Sequence, residues 1–344
     1  MFRVKIKPLE PLLLRGPGEF DPFVRGTTSV ARSESLPSPS TIAGLVISLL
    51  LKGPVGRAAD WGGYVERMKE LLSSTGVEWI RGPYFMRGES AYYPFLIEGR
   101  ARLFEACGLL SRLSKLLEGE GDIQLFEDVL KELDENVDQI EPLVVQRVGT
   151  ALTSRSGGKV VREGYLYGAS LVGYGDAEIV VEVGARVDLG VLNNRVAVLG
   201  GEQRKVLVRV EAIRNGQNAD SIAWLAGSFQ SGPALLLSPL VLSGGLKNRI
   251  VLEGVGSSGG LVLRYGRLGV KGLGFSVLEK RRKPLYPLVT AGSILVIDKV
   301  VGDARAYGAY AAFQEKELDG TAEVLGRIGY GSFVPVSQPG CKDG

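Results

Sequence analysis

The chain has 344 residues, 41 Lys and Arg against 38 Asp and Glu, and a net charge of +3, too mild a balance to hold nucleic acid unless the basic residues cluster. It contains no histidine, which removes the usual general base, the commonest transition-metal ligand and the Ser-His and Cys-His dyads. Enzymatic activity is therefore disfavoured, although Lys, Tyr or carboxylate chemistry stays possible.

The length and a hydrophobic fraction of 45% predict a full core divided between two domains. Two cysteines, Cys107 and Cys341, are too few for a disulfide framework or a metal cluster, so no metal and no cofactor is expected. No apolar run reaches the length of a membrane span, and the first residues read as a strand with alternating charges, not as a signal peptide. The expected location is cytoplasmic, with no membrane contact.

Residues 2–14 alternate apolar and basic side chains and predict a first strand. A Gly- and Pro-rich loop follows, carrying Arg25 and Arg32. The stretch Leu36-Pro37-Ser38-Pro39-Ser40-Thr41-Ile42-Ala43-Gly44-Leu45 then has the marks of a helix start. Ser38 suits the N-cap and Pro39 the first helical position. Ile42, Leu45, Val46 and Leu49 recur as one apolar face, and Gly44 offers a close approach to a neighbouring backbone. The free N–H groups of the first turn, with the hydroxyls of Ser38, Ser40 and Thr41, form a candidate phosphate site; a capped core helix that binds nothing is the alternative.

Residues 61–72 predict a second helix, residues 77–86 a strand, and Tyr92-Tyr93-Pro94-Phe95 an extended edge. Residues 100–140 read as a helical insertion, with two helices separated at Gly119-Glu120-Gly121. Between Glu118 and Glu141 ten acidic side chains face one lysine, Lys131, so this segment repels phosphates. It is either a solvated insertion or a docking face for a basic protein.

Residues 146–167 predict a protruding hairpin around Ser156-Gly157-Gly158. Arg147, Arg155, Lys159 and Arg162, among Ser and Thr hydroxyls, suit contact with an RNA backbone. Strands are expected at 177–189, 196–199, 206–213, 234–242 and 291–297, with short helices at 222–229 and 307–317. The run Lys280-Arg281-Arg282-Lys283 is the strongest basic cluster, facing either RNA or a protein partner. Gly326-Arg327-Ile328-Gly329-Tyr330-Gly331 reads as a glycine-rich loop entering a last strand. Gly326, Gly329 and Gly331 would let backbone N–H groups approach a ligand, with Arg327 for phosphate pairing and Tyr330 for base stacking. Its order, helix then loop then strand, is wrong for a dinucleotide fingerprint.

Three stretches together carry a resemblance: residues 36–44; Gly274-Phe275-Ser276 with Lys283-Pro284 and Ala291-Gly292-Ser293-Ile294; and Leu325-Gly326-Arg327-Ile328-Gly329-Tyr330-Gly331-Ser332-Phe333. They resemble the RAMP proteins of CRISPR type III effector complexes, most closely the third subunit of the type III-B (Cmr) complexes. The middle stretch from Arg147-Val148-Gly149 to Glu163-Gly164-Tyr165-Leu166-Tyr167 is similar to that subunit as well.

The resemblance implies an α+β fold of two ferredoxin-like, RRM-related modules with antiparallel sheets. On this reading residues 1–190 form the first module, with the helical insertion and the hairpin, and residues 191–344 form the second. It also implies a non-catalytic subunit that captures the 5′ repeat-derived tag of the guide RNA. Partners would be the large polymerase-type subunit and the adjoining RAMP backbone subunits. The expected RNA side comprises Arg25, Arg32, Ser38, Ser40, Thr41, the hairpin and the glycine loop. The competing expectations are a metal-independent guide-RNA-processing endoribonuclease and an assembly subunit without RNA contact.

Overall fold

The computed structural model describes residues 1–16, 30–51, 53, 60–118, 123–155, 158–213, 221–252, 261–276 and 281–337. Arg25 and Lys280 lie outside them. In β1 (Phe2–Pro8), Val4 and Ile6 enter the core while Arg3, Lys5 and Lys7 take the other face. After β2 (Val30–Ala31), α1 (Pro39–Leu50) starts as its sequence requires, with Ser38 as N-cap accepting from the Thr41 N–H at 3.3 Å. Ile42, Leu45 and Val46 are buried. Gly44 is exposed and a Cβ there would meet nothing, so its expected close approach does not occur.

Asp60 caps α2 (Trp61–Thr75), and Gly76 ends it in the left-handed conformation. Next come β3 (Val77–Arg87), β4 (Ser90–Ile97) and β5 (Arg100–Glu105). Leu103 lies in β5, so the insertion is not helical from its start. The break is local: Glu105 turns back and accepts from the N–H groups of Cys107 and Gly108 (3.1 and 2.7 Å), capping α3 (Ala106–Glu118). Cys107 lies in the first turn of α3, and Cys341 lies outside the described residues. α4 (Ile123–Asn136) packs back on α3 and leads into β6 (Gln139–Ile140).

The hairpin is longer than its sequence suggests, with β7 (Leu143–Arg155) and β8 (Gly158–Gly173) paired from Leu143↔Gly173 to Arg155↔Gly158. The chain continues through β9 (Glu178–Ala185), β10 (Arg195–Val198), β11 (Lys205–Ala212) and α5 (Ile222–Ser228). The second half holds β12 (Gly232–Leu236), β13 (Leu240–Val241), β14 (Ile250–Leu252), β15 (Leu261–Tyr265), β16 (Leu268–Gly272), β17 (Phe275–Ser276), β18 (Arg281–Arg282), β19 (Leu285–Val289) and β20 (Ile294–Ile297). It closes with α6 (Ala304–Tyr307), α7 (Gly320–Arg327) and β21 (Phe333–Pro335). Residues 234–242 are thus two strands, parted at Ser238-Pro239. Residues 307–317 are mostly 3-10 turns, and Gly326 belongs to the last turn of α7 rather than to a loop.

The fold is mixed α/β with mainly antiparallel sheets. The first sheet has the order β10-β11-β1-β9-β3-β4-β5-β6. Because β10 and β11 pair through β11 with β1, the first sheet runs to Ala212 and the expected boundary at 190 falls inside it. The second main sheet has the order β14-β15-β20-β12-β21. Among the described residues, β4 beyond Tyr92 pairs as a strand with β5 alone. The expected edge at residues 92–95 is therefore open on one side, and a turn from the second half covers it. Gly292, at φ +80°, brings its carbonyl to the Leu96 N–H (3.3 Å), and a Cβ there would lie 2.9 Å from the Phe95 backbone.

Two buried polar groups join the halves. Arg81 of β3, 1% exposed, donates to the carbonyls of Arg305 (2.6 Å), Ala306 and Gly326 (2.6 Å) and to Ser332 Oγ (3.3 Å). Burial pushes its guanidinium down to about 9, above neutral pH, so it remains a cation there. Glu182 of β9, fully buried, accepts from Arg3 (3.3 Å), Tyr84 Oη (3.4 Å), Ser221 Oγ (2.7 Å) and the Ala223 N–H (2.9 Å), fixing the start of α5. Burial, then the charge of Glu182, pushes the Tyr84 phenol well above its usual value.

Candidate nucleic-acid interface

The start of α1 and the glycine stretch meet in space, but they face each other. Ser38 Oγ lies 2.9 Å from Thr41 Oγ1 and 3.2 Å from Ser40 Oγ, and Tyr330 Oη reaches Ser40 Oγ at 3.4 Å. The hydroxyls expected to grip a phosphate thus satisfy one another. Tyr330 is 2% exposed, and burial raises its phenol; its ring is not available for base stacking. Gly326, Gly329 and Gly331 are buried too. The physical reason is the polar packing beneath them. Ser332 Oγ and Ser238 Oγ both donate to the Gly329 carbonyl (2.8 and 2.6 Å), and Ser332 Oγ accepts from the Gly82 N–H. Arg327 donates through Nε to the Glu78 carbonyl at 3.0 Å, tying α7 to β3. These residues form a seam between the two halves rather than an open loop.

The hairpin is a different surface. Ala31 and Arg147 both stand in register with Ala169, on either side of β8. That places Arg32, the next residue, near Arg147 at the base of the arm, and both are exposed. Arg155 and Lys159 flank the turn, where Arg155 pairs with Gly158 and Ser154 with Lys159; Arg162 follows on β8. At about 3.3 Å per residue, Arg147 and Arg155 stand on the order of 26 Å apart along the strand. The arm is thus a basic ribbon with Ser and Thr between its cations. Val148 on the same ribbon is 78% exposed.

Of the basic run, Arg281 and Arg282 form β18 against β17. Lys283 is half-buried, its Nζ 4.9 Å above the Tyr64 ring, which itself stacks on Trp61 at 4.9 Å. The cation is held against an aromatic cluster at the start of α2.

Two features escape sequence reading. One is the Arg81 pin, because an arginine inside an apolar strand announces no partner. The other is a cleft of about 930 Å³ beside the base of the arm, lined by residues 33–38, 96–102, 139–142 and 269–274 with Val144, Arg267 and Tyr330. Its walls come from many separate chain segments, so no local pattern reveals it. The acidic segment is partly neutralised: on α4 Asp134 pairs with Arg102 and Glu132 with Arg112 at 3.4 Å, and after it Asp138 pairs with Arg87. The Arg87 guanidinium, joined by Tyr92 Oη at 2.5 Å, holds the Asp138 carboxyl below the usual carboxylate range.

Among the described residues, no helix is long and apolar enough to cross a membrane. Residues 4–97 match the family described as CRISPR-associated protein (Cas_Cmr3). The CRISPR system CMR subunit Cmr3 of Saccharolobus solfataricus is 26% identical over 302 residues, 86% of this chain and 86% of that one. In fold, the chain is similar to one from the type III-B Cmr-beta complex bound to cognate target RNA, with a TM-score of 0.71 and 23% identity, covering 97% of this chain and 96% of that one. The same complex bound to target RNA and AMPPnP gives 0.70 and 22% over the same coverage. The family match lies in the first sheet and the curated relative aligns through both halves, so the chain is similar to the Cmr3 subunits over most of its length.

Proposed function

We propose that the chain is a non-catalytic RNA-binding subunit of a type III-B effector complex, capturing the 5′ repeat-derived tag of the guide RNA and docking on the large polymerase-type subunit and adjoining backbone subunits. We also infer two ferredoxin-like modules. What supports the second point is strand order. In the first sheet β11-β1-β9-β3 follows the chain order 4-1-3-2 of a βαββαβ unit, and in the second β21-β12-β20-β15 follows the same order. The modules then span about 2–212 and 232–336, with α5 between them.

The observation that carries the RNA reading is the basic arm. Arg32 and Arg147 at its base, with Arg155, Lys159 and Arg162 toward its turn, would pair phosphates along single-stranded RNA. Arg281, Arg282 and Lys283, with Lys280, form a second basic surface. The α1 start and Gly326–Gly331 serve as the packed seam from which these surfaces project. Arg25 stays with the RNA side by sequence alone.

Salt dependence tests the arm. With Arg155→Glu and Lys159→Glu together, affinity for repeat RNA falls and the slope of log K against log salt drops by about 1.4, from roughly 0.7 per phosphate contact on a single strand. An unchanged slope removes the arm from the interface. Specific cleavage of repeat RNA by the pure chain would instead establish the endoribonuclease.

A further inference from the structure

The cleft beside the arm has a composition unlike an RNA groove. Its lining cations are Arg15, Arg100, Arg102, Arg267 and Lys271, and its acids Glu34, Glu98, Asp134 and Glu141. Lys271 pairs with Glu34 at 2.6 Å and Arg102 with Asp134. A rim so nearly balanced in sign gives a polyanion little attraction. A polypeptide, which carries both signs and apolar groups, suits it better.

Backbone geometry narrows the occupant. Among the described residues β16 is the terminal strand of the sheet β13-β19-β16, and six consecutive residues, 269–274, line the cleft. Both faces of a strand line a space only when its edge opens onto it, so the N–H and C=O groups that β19 leaves unpaired point there. Val270 is 70% exposed, with Leu268 two residues earlier at 44%, and Val144 across the cleft is 60% exposed. Unpaired edge groups with aliphatic side chains at every second position are the features of a surface that receives an added strand. Arg100 and Arg267 are exposed, with no ion pair among the described residues.

We propose that this cleft receives an extended segment of a neighbouring protein subunit, added to the β16 edge, with aliphatic side chains against Val270 and Val144 and a carboxylate against Arg100 and Arg267. The proposal rests on the reading that the chain works inside a multi-subunit complex; it does not depend on the arm binding RNA.

Hydrogen exchange of the full chain, alone and in the reconstituted complex assembled with and without guide RNA, tests it. The expected result is at least tenfold slower exchange of the β16 amides unbonded to β19, with or without RNA. Val270→Lys, at a solvent-facing position, weakens incorporation into the complex at least tenfold while leaving the melting temperature and RNA affinity of the free chain unchanged. Unchanged β16 exchange on assembly, protection that appears only with guide RNA, or normal incorporation of Val270→Lys overturns the proposal. Loss of RNA affinity in Val270→Lys makes the cleft an RNA groove and overturns it as well. Failure of the arm variants alone would count against the RNA reading and leave this one standing.

Discussion

Arg81→Met exposes how the two halves are held together. The side chain changes little in volume, but the carbonyls of Arg305, Ala306 and Gly326 and the Ser332 hydroxyl lose their common donor inside the core. Two effects oppose each other. Removing a buried cation with no paired carboxylate relieves a desolvation penalty of several kcal/mol. Each buried carbonyl left unpaired costs about 1–3 kcal/mol, and those of Arg305 and Ala306 lose their donor together, while Gly326 keeps the Gly329 N–H at 3.1 Å. Carbonyl loss wins because the methionine cannot donate and the packed seam admits no replacement, so the net cost is about 2–3 kcal/mol. At about 2 °C per kcal/mol for a large domain, calorimetry shows a melting point lower by roughly 4–6 °C. The bonds cross between the first sheet and α6–α7, so the second half loses cooperativity and unfolds earlier. Arg81→Lys rescues little, since one ammonium cannot span three carbonyls. A single transition within about 2 °C of the parent would refute the reasoning.

Glu182→Gln places an amide donor among four donors and costs about 2–3 kcal/mol in urea unfolding, the worth of bonds to a buried charge. Tryptophan fluorescence then reports loosening at α5, where Trp224 sits. Asp138 fixes one pH effect. Its folded pKa lies below the unfolded value, so its stabilisation is present above about pH 4 and is lost as pH falls through the folded pKa. Asp138→Asn accordingly lowers the melting point at pH 7 and flattens its decline below about pH 4; parallel curves for the two proteins contradict the assignment.

What could be read from the sequence was what local chemistry decides. Ser38 and Pro39 start α1 by capping alone, and the two β-prone runs of residues 146–167 pair as the arm. Errors arise where tertiary partners decide. The glycine stretch has the composition of a ligand loop, yet Gly326 is helical and Tyr330 lies beneath α1, because Ser238, Ser332 and Arg81 use its carbonyls. Leu103 has helical spacing with later leucines, but the turn at Glu105 puts it in a strand. The boundary expected at 190 falls between strands of one sheet, because β11 returns to β1, a pairing about two hundred residues apart in sequence. The cleft needs many distant segments at once, and no window of sequence contains it.

The central claim is capture of the guide's 5′ tag through the arm. Its most direct test is photocrosslinking of a guide RNA carrying 4-thiouridine within the tag, in the reconstituted complex, followed by peptide mapping. The account predicts crosslinked peptides of this chain from residues 143–173. Tag crosslinks confined to other subunits, with none to this chain, would contradict it.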